Sequence, residues 1–467
     1  MTLLGADAPD WLPALRHASV EDVVLPLLVQ LALIVLVARL FAILARKVGQ
    51  PSVVGEIAAG LVLGPSVLGR IWPALENAVF HPSIAGLPPE LGDALLGWIL
   101  TTLSQLGLIL LLFLVGLEFD FSHLRWHGKA AGLIALAGIA LPFGLGLGLA
   151  LAMHDAVAPD IQTTGFALFL GTALSITAIP VLARIMMELG ITRTRLGSIT
   201  IAAAAVDDAS GWILLAAVAA YVRAEFHPTT TLVMIGETAG FALFMIFLAR
   251  PLLRRWVRFA LRKHDGDIGV SALAVLLAML LGCAIVTNLI GIFAVFGAFL
   301  LGAVLSAEHD FRAAVARKLQ DVVTAFFLPL FFAYTGLRTD VGVLGDWRLW
   351  LLCALVSVLA IVGKFGGCGL AAWLTGHTRR EAACVGAMMN TRGLMALVVM
   401  NLGKDLGVIP DSVFCMLVLM AIFTTVLTTP LLLRLMRGTE LEPWVVRSSF
   451  MRGVSGPELK LATDEPG

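Results

Sequence analysis

Long apolar stretches alternate with short polar segments along almost the whole chain. A helix needs about 20 apolar residues to cross the hydrocarbon core of a bilayer, and most of these stretches approach that length. They predict about thirteen membrane-spanning helices, at approximately residues 23–45, 54–72, 95–118, 130–153, 164–188, 197–222, 232–253, 268–288, 290–305, 320–337, 347–374, 381–404 and 411–434. The predicted fold class is therefore an all-α polytopic membrane protein.

The composition supports a membrane environment. Hydrophobic residues make up 59% of the chain and charged residues only 14%, whereas soluble proteins carry roughly a quarter charged residues. Lipid must therefore surround most of the protein. The formal net charge of zero gives no indication of a nucleic acid partner. The five cysteines lie in apolar runs without metal-type spacing, so they are interpreted as core residues, and no cofactor is expected.

Basic residues are concentrated in every second loop between the predicted helices. The basic set comprises Arg46, Lys47, Arg125, Lys129, Arg193, Arg195, Arg254, Arg255, Arg258, Arg262, Lys263, Arg312, Arg317, Lys318, Arg379 and Arg380. Because basic loops stay in the cytoplasm, residues 1–22 are predicted to be extracytoplasmic and the tail 435–467 to be short, cytoplasmic and disordered. This topology requires an odd number of helices, which supports the short segment at 290–305.

Four charged side chains are predicted to lie deep inside apolar helices: Asp207 and Asp208 in the sixth, Lys364 in the eleventh and Arg392 in the twelfth. A charge at the bilayer centre costs roughly 2.5–3.5 kcal/mol. One aspartate could pair with Lys364 or Arg392, but adjacent residues point about 100° apart on a helix, so one partner rarely neutralises both. A functional aspartate pair is favoured, while Lys364 is either only a counter-ion or a participant. Glu56, near a helix end, is interpreted as an interfacial anchor.

Two of the predicted helices are interrupted. The fifth reads GTALSITAIPVLAR, and its interruption contains Ser175, Thr177 and Pro180. A proline inside a helix removes a backbone donor and clashes with the carbonyl four residues earlier, here that of Ile176. The twelfth is interrupted by Asn390, Thr391, Arg392 and Gly393. Broken helices persist in a membrane only where the freed backbone faces protein or a wet cavity.

The interrupted helices are seven apart in the predicted order, which suggests an internal repeat. Helices 1–6 pair with helices 8–13 in inverted orientation, and helix 7 links them. The two interrupted helices then correspond, and the fourth helix corresponds to the eleventh, which carries Lys364. Inverted repeats with broken helices at the midplane are typical of secondary transporters. The transmembrane domain is predicted at 23–434, with core helices at about 130–222 and 347–434.

Several motifs together resemble those of the monovalent cation/proton antiporter-2 family. They are GQPSVVGEIAAGLVLGPSVLG at 49–69, LLLFLVGLEFD at 110–120, ALSITAIPVLARIMMELG at 173–190, AVDDASGW at 205–212, FGAFLLGAVLS at 296–306, LPLFFAYTGL at 328–337 and NTRGL at 390–394. Each motif alone is weak, but their order and spacing over residues 25–434 are specific. The resemblance implies an NhaA-like fold of thirteen helices with two crossing discontinuous helices, a dimerisation domain and a mobile core, and a homodimer in the cell (inner) membrane.

The resemblance also assigns roles to individual residues. It implies that Asp208 binds both the cation and the proton. Asp207 is similar to the residue that pairs with a lysine in electrogenic members, and Lys364 fits the place of that lysine. Ser175 and Thr177 match polar residues of the crossing helix near the ion. Potassium-efflux members usually have an amide where this chain has Asp207, so the sequence favours sodium/proton exchange.

The expected function is secondary active transport, not enzymatic catalysis. A hard cation such as Na⁺ prefers oxygen ligands, which Asp208, a backbone carbonyl, the hydroxyl of Ser175 or Thr177, and water could supply. A proton would compete with the cation for Asp208, and alternating access would couple the two fluxes. Alternatives are a K⁺/H⁺ antiporter, an efflux channel or a proton-coupled exporter of an organic solute, because a fold does not fix a substrate. A membrane sensor or scaffold without transport is a third class.

Overall fold

The computed structural model describes residues 19–48, 50–84, 87–118, 128–192, 194–223, 228–262, 267–291 and 293–446. Every regular element in these ranges is helical. Most of the predicted N-terminal segment 1–22 and most of the predicted tail 435–467 lie outside the described residues.

Most of the helices are long and apolar. In chain order they are α1 (Val20–Lys47), α2 (Ser52–Leu63), α3 (Leu68–Ile71), α4 (Pro73–Phe80), α5 (Pro89–Glu118), α6 (Gly128–Val157), α7 (Thr163–Ser175), α8 (Ile179–Glu188), α9 (Arg195–Arg223), α10 (228–262), α11 (Val270–Ile290), α12 (Ala294–Leu305), α13 (309–337), α14 (Trp347–Leu374), α15 (Arg379–Met389), α16 (Leu394–Asp405), α17 (Asp411–Leu435) and α18 (Glu442–Val446).

Ten helical stretches in the described part of the chain are long and apolar enough to cross a membrane. This confirms the all-helical, multi-pass class. The three remaining apolar segments are shorter: α12 has 12 residues, and the other two are split into the pairs α7–α8 and α15–α16. Because none of these pieces spans a bilayer by its own length, the number of thirteen membrane crossings stays a prediction.

Some helices extend beyond the apolar stretches that predicted them. The apolar pattern predicts that helix α10 ends at 253, but the helix continues to Arg262. It contains a π-helical turn at Phe244–Ala249. Its basic end is strongly amphipathic, and it buries Leu253, Val257 and Ala260, which lie on one helical face. Helix α13 begins eleven residues earlier than the predicted 320, with a polar first half. A search for apolar length alone misses such amphipathic extensions.

The first part of the predicted tail is ordered, contrary to the expectation of disorder for 435–467. Residues 442–446 form α18, in which Val445 is fully buried, and Leu441 just before it is buried as well. Both pack into an apolar cluster that also contains Leu432 and Ala382. The backbone N–H of Leu196 donates to the carboxylate of Glu440. Two buried apolar residues four positions apart and a hydrogen bond to Glu440 therefore hold this segment against the bundle.

The closest packing divides the helices into two sets. In one set α6 packs on α7, α9 and α14, and α17 packs on α14, α15 and α16. In the other set α13 packs on α1, α2 and α5, and α12 packs on α5 and α11. Helix α10 follows α9 in the chain and contacts both α9 and α11. We call these the α6–α17 set and the α1–α13 set.

Glycines bring the helices close together in both sets. In the α1–α13 set, a Cβ on Gly336 would come within 2.8 Å of Gly60 Cα. In the α6–α17 set, a Cβ on Gly363 would lie 2.8 Å from Pro142 Cα, and one on Gly367 would lie 2.6 Å from the carbonyl oxygen of Ala137. Small residues at such contacts let helix backbones approach each other in lipid. Lys364 lies between these last two glycines and is thereby drawn against α6.

Candidate functional site

The first helix interruption lies between α7 and α8. Helix α7 ends at Ser175, and Ile176 and Ala178 have extended backbones before α8 begins at Ile179. Pro180 is in the first turn of α8, where its missing N–H is one that a helix leaves unpaired anyway. Pro180, which is predicted to lie at the interruption of the fifth helix, lies just after the unwound residues and starts the second half-helix.

The second interruption lies between α15 and α16 and crosses the first. It comprises residues 390–393, after α15 ends at Met389. The N–H of Ala178 donates to the carbonyl of Thr391 at 3.1 Å. The hydroxyl of Thr177 donates to the carbonyl of Met389 at 2.9 Å. The two unwound segments are thus hydrogen-bonded directly to each other in the middle of the α6–α17 set.

Arg392 closes the carboxyl end of α7. Its guanidinium donates to the carbonyls of Ala173, Leu174 and Ile176, and the residue is only 1% exposed. Its own backbone is held by Thr425, whose hydroxyl accepts from the Arg392 N–H at 3.2 Å and donates to the Arg392 carbonyl at 2.9 Å. A cation at this position offsets the negative end of the helix dipole.

Lys364 projects from α14 to the same helix end and is fully buried. Its Nζ donates to Asp207 Oδ1 at 2.7 Å, to the carbonyl of Gly138 at 2.9 Å and to the carbonyl of Ser175. A lysine ammonium has three hydrogens to donate, so its capacity is used completely. The other oxygen of Asp207 accepts from the N–H of Thr177 at 2.9 Å. Asp207 and Lys364 therefore bind each other, and both also bind backbone groups at the first interruption.

Asp208 is the uncommitted carboxylate of the pair. It is 3% exposed, and it points about 100° away from Asp207 around α9. Among the described hydrogen bonds, Lys364 reaches Asp207 and not Asp208. The side chains that act electrostatically on the Asp208 carboxylate are those of Asp207 and Lys364, through their charges, and that of Trp212, through its indole. Trp212 lies one turn further along α9. Among the described residues, one carboxylate of the adjacent pair is thus bonded to a cation and the other is not.

The two predicted hydroxyl ligands already make hydrogen bonds as donors. Ser175 Oγ donates to the carbonyl of Thr172 at 2.9 Å, and Thr177 Oγ1 donates to that of Met389. A hydroxyl oxygen keeps its two lone pairs when it donates, so both oxygens remain possible acceptors. The clearest roles of these residues in the structure are those of their backbones: the Ser175 carbonyl binds Lys364, and the Thr177 N–H binds Asp207.

Three polar side chains at or beside the crossing have atoms without a hydrogen-bond partner among the described residues. They are Nε1 of Trp212, both amide atoms of Asn390 and Nε of Arg392, all buried. Buried polar groups in proteins are otherwise satisfied by protein atoms or ordered water. Asn390 and Arg392 stand out in the sequence as polar residues in an apolar run, whereas Trp212 has no predicted role, although it belongs to the AVDDASGW motif. Its position one turn from Asp208 was the available signal.

Trp212 also joins the two helix sets. Its ring lies edge-on to Phe296 at 5.6 Å and is stacked on Phe299 at 5.7 Å, between ring centroids, and both phenylalanines belong to α12. Such aromatic pairs contribute roughly 0.5–1.5 kcal/mol beyond their buried area. The environment of Asp208 is therefore in direct contact with the boundary between the α6–α17 set and the α1–α13 set.

Among the described residues no group of three or more His, Cys, Asp or Glu side chains could hold a metal ion. Glu56, interpreted as an interfacial anchor, lies on α2 and is buried in the structure. The oxygen atoms at the crossing belong to the two aspartates, to hydroxyl groups and to backbone carbonyls.

Known proteins resemble the chain over most of its length. The family model described as sodium/hydrogen exchanger, transmembrane, matches residues 32–436. The chain is 38% identical over 420 residues to the Na(+)/H(+) antiporter NhaS4 of Synechocystis, which covers 89% of the chain and 98% of that protein. It is 41% identical over 411 residues to cation/H(+) antiporter 17 of Arabidopsis thaliana, which covers 88% of the chain and 48% of that protein. The chain spans about half the length of this plant relative.

A solved structure supports the same relationship at the level of the fold. The sodium proton antiporter MjNhaP1 of Methanocaldococcus jannaschii, determined at pH 8, superposes with a TM-score of 0.61 and 15% sequence identity. The match covers 91% of this chain and 99% of that one. The fold is thus shared with a known antiporter. Because the family model matches residues 32–436 with these motifs in order, the chain belongs to the sodium/hydrogen exchanger family.

Proposed function

We propose that the protein exchanges protons for a monovalent cation, sodium, across the membrane, and that Asp208 binds the two in competition. The observation that supports this proposal most directly is that the two aspartates differ in their hydrogen-bond partners. Asp207 has both oxygens engaged, by Lys364 and by the N–H of Thr177. Asp208 is also buried in the bundle, and no cationic side chain in the described part of the chain is bonded to it. A buried carboxylate of this kind needs a proton or a cation to neutralise it.

The groups around Asp208 suit this exchange. Sodium is a hard cation that takes oxygen ligands. The Asp208 carboxylate, the oxygen of Ser175 or Thr177, a carbonyl freed by the helix interruption, and water would provide them. A proton on Asp208 removes its charge and so releases the cation. Since only one of the two ligands can occupy the carboxylate at a time, movement of one is coupled to movement of the other.

The proposal includes electrogenic exchange through the Asp207–Lys364 pair. A lysine as deeply buried as Lys364 is stable as a cation only while a carboxylate lies beside it. If sodium binding draws Asp207 toward Asp208, Lys364 loses that partner and releases its proton. Two protons would then move inward for each sodium moved outward, and each cycle would carry one net charge.

The two helix sets provide the moving parts of the proposal. We assign the α6–α17 set as the mobile core and the α1–α13 set as the scaffold and dimerisation domain, in an NhaA-like fold of thirteen crossings with inverted repeats. Close packing within each set supports rigid-body motion, and the stack of Trp212 on Phe296 and Phe299 is a contact that such motion would change. We place the homodimer in the cell (inner) membrane with the N-terminus outside.

The decisive experiment replaces Asp208 in protein reconstituted into liposomes. Asp208→Asn keeps the shape of the side chain but removes its charge, so we expect sodium-driven proton movement, followed with a pH-sensitive dye, to disappear. Sodium, lithium, potassium and rubidium are added separately to the wild type to establish selectivity. The control is Asp267→Asn, which removes a half-exposed aspartate that is paired with Lys318 of α13 at 3.0 Å and so belongs to the other helix set. Near-normal exchange in Asp208→Asn would contradict the proposal.

A further inference from the structure

A groove on the outside of the α6–α17 set runs between α14 and the start of α15. Its volume is about 420 Å³. The α14 side is formed by Phe365, Gly366, Gly369, Leu370 and Trp373. The α15 side is formed by Ala382 and Ala383, with Arg379 at the end of the groove. The groove is therefore apolar along its length and basic at one end.

Two glycines of α14 shape this groove in different ways. A Cβ on Gly369 would lie 3.3 Å from the carbonyl oxygen of Ala382, so the absence of a side chain there lets α15 approach α14. A Cβ on Gly366 would meet nothing within 4 Å. Helix packing therefore does not require a glycine at 366. The missing side chain leaves an open channel along the helix.

The orientation of the groove matches that of a lipid acyl chain. It lies along α14, a helix long and apolar enough to cross a membrane. Phe365 and Trp373 are separated by about 12 Å along the helix axis, and one leaflet of the hydrocarbon core is about 15 Å deep. The exposed flank of α14 beside the groove is apolar, with Leu370 54% exposed and Trp373 49% exposed. In a bilayer this surface faces acyl chains.

The basic end of the groove carries an unpaired positive charge. Arg379 is exposed, and among the described residues it makes no hydrogen bond or ion pair. Arg380 beside it is held by the carbonyl of Arg437 at 2.9 Å. Glu381, the acidic residue of the first turn, is engaged by the N–H of Thr378 at 2.9 Å. The N-terminal end of α15 adds a partial positive charge, so the potential at this end favours an anion.

We propose that this groove binds one glycerophospholipid with an anionic headgroup, with the phosphate at Arg379 and one acyl chain along Gly366 and Gly369. An apolar channel of leaflet depth and a free cation at its end match the two parts of such a lipid. A basic side chain near the membrane surface contributes about 1 kcal/mol to attraction of anionic lipid, which is about a fivefold preference. The lipid site does not depend on the transport proposal, because the groove lies apart from Asp208.

Native mass spectrometry of the full chain in detergent tests the site. Phosphatidylglycerol and phosphatidylcholine with the same acyl chains are titrated separately. We expect the wild type to bind phosphatidylglycerol about fivefold more tightly at one site. Arg379→Gln removes that preference and leaves weaker binding of both lipids. Gly366→Leu fills the channel and removes binding of both at this site.

Matched variants separate the site from general effects. Arg348→Gln removes an exposed arginine at the other end of α14, and Gly144→Leu adds the same side chain on α6, where a Cβ would also meet nothing within 4 Å. Both should bind lipid as the wild type does, and all variants are first checked for an unchanged melting temperature. Equal binding of the two lipids by the wild type would overturn the proposal. So would an unchanged preference in Arg379→Gln, unchanged binding in Gly366→Leu, or an equal loss in either control.

Discussion

The two helix interruptions that meet in the bundle are built differently. At the first, between α7 and α8, two buried cations hold the carboxyl end of α7. Lys364 donates to the carbonyl of Ser175, and Arg392 donates to the carbonyls of Leu174 and Ile176. Charged side chains therefore satisfy the free backbone carbonyls at this interruption, although burying a charge there costs free energy.

At the second interruption, neutral groups hold the carboxyl end of α15. The hydroxyls of Thr177 and Thr391 donate to the carbonyls of Met389 and Met388, at 2.9 and 3.0 Å. Asn390 lies between them, with both of its amide atoms unpaired among the described residues. Hydroxyl and backbone groups satisfy this end without a cation.

The difference is explained by what lies beside each end. The charged interruption adjoins Asp207 and Asp208, and the two cations balance the two aspartates when both are deprotonated. On the proposed mechanism, a proton on Asp208 gives this group of side chains a net charge of plus one, whereas a sodium ion there, with Lys364 deprotonated, leaves it neutral. The two loaded forms therefore differ by one charge, which is the charge moved in each cycle. The cations at the end of α7 therefore have two tasks: they cap the helix and permit a deprotonated Asp208 inside the membrane.

The largest expected effect comes from removing the charge that closes the first interruption. Arg392→Ala leaves the carbonyls of Ala173, Leu174 and Ile176 buried without their donor. Each unsatisfied group costs about 1–3 kcal/mol, so we expect a loss of at least about 3 kcal/mol. Thermal unfolding of purified protein in detergent measures it. The control is Asn390→Ala at the second interruption, which loses no hydrogen bond in the structure. Equal losses in the two variants would contradict the comparison.

A second prediction concerns the pair of Lys364 and Asp207. Lys364→Ala leaves Asp207 charged, buried and unpaired, and breaking a buried pair in this way costs about 3–5 kcal/mol. The double variant Lys364→Ala with Asp207→Asn removes both charges, so most of the lost stability should return. In liposomes the double variant should still exchange sodium for protons but without responding to membrane potential. A double variant no more stable than Lys364→Ala, or one that stays electrogenic, would show that the pair has neither role.

The sequence indicates much of this site because buried charges are rare. Asp207, Asp208, Lys364 and Arg392 stand out in apolar runs, and the polar residues around 390 mark an interruption. What the sequence does not indicate is which carbonyls the two cations reach. Those contacts join residues more than 180 positions apart, such as Lys364 and Ser175, and depend on how closely α14 packs on α6.

Two further features of the site, the roles of Gly138 and Pro180, cannot be predicted from the sequence and become clear only in the folded chain. The role of Gly138 follows from packing, since its carbonyl binds Lys364 and a Cβ there would clash with Cys368 Sγ. Pro180 marks an interruption in the sequence, but a proline in an apolar run is compatible with a kinked helix or with a helix start. Only the extended backbone at Ile176 and Ala178 distinguishes them. Helix existence follows from apolar length, whereas helix starts depend on local backbone geometry.

The smallest predicted effect compares two threonines that flank the crossing. Thr177→Val removes a hydrogen bond that joins the two interruptions, from Thr177 Oγ1 to the carbonyl of Met389. Thr391→Val removes one that stays within the end of α15, from Thr391 Oγ1 to the carbonyl of Met388. Each hydroxyl contributes about 1 kcal/mol, so both variants should lose similar stability in thermal unfolding.

Their transport should nevertheless differ. The oxygen of Thr177 is a candidate ligand and lies on the segment that binds Asp207, so Thr177→Val should raise the apparent KM for sodium in liposomes. Thr391→Val should leave that KM close to the wild-type value, because its hydroxyl binds only its own half-helix. If the two variants shift the KM equally, the hydroxyl of Thr177 has only a structural role, as a hydrogen-bond donor between the two interruptions. In that case the oxygen ligands of the cation must come from Asp208, backbone carbonyls and water.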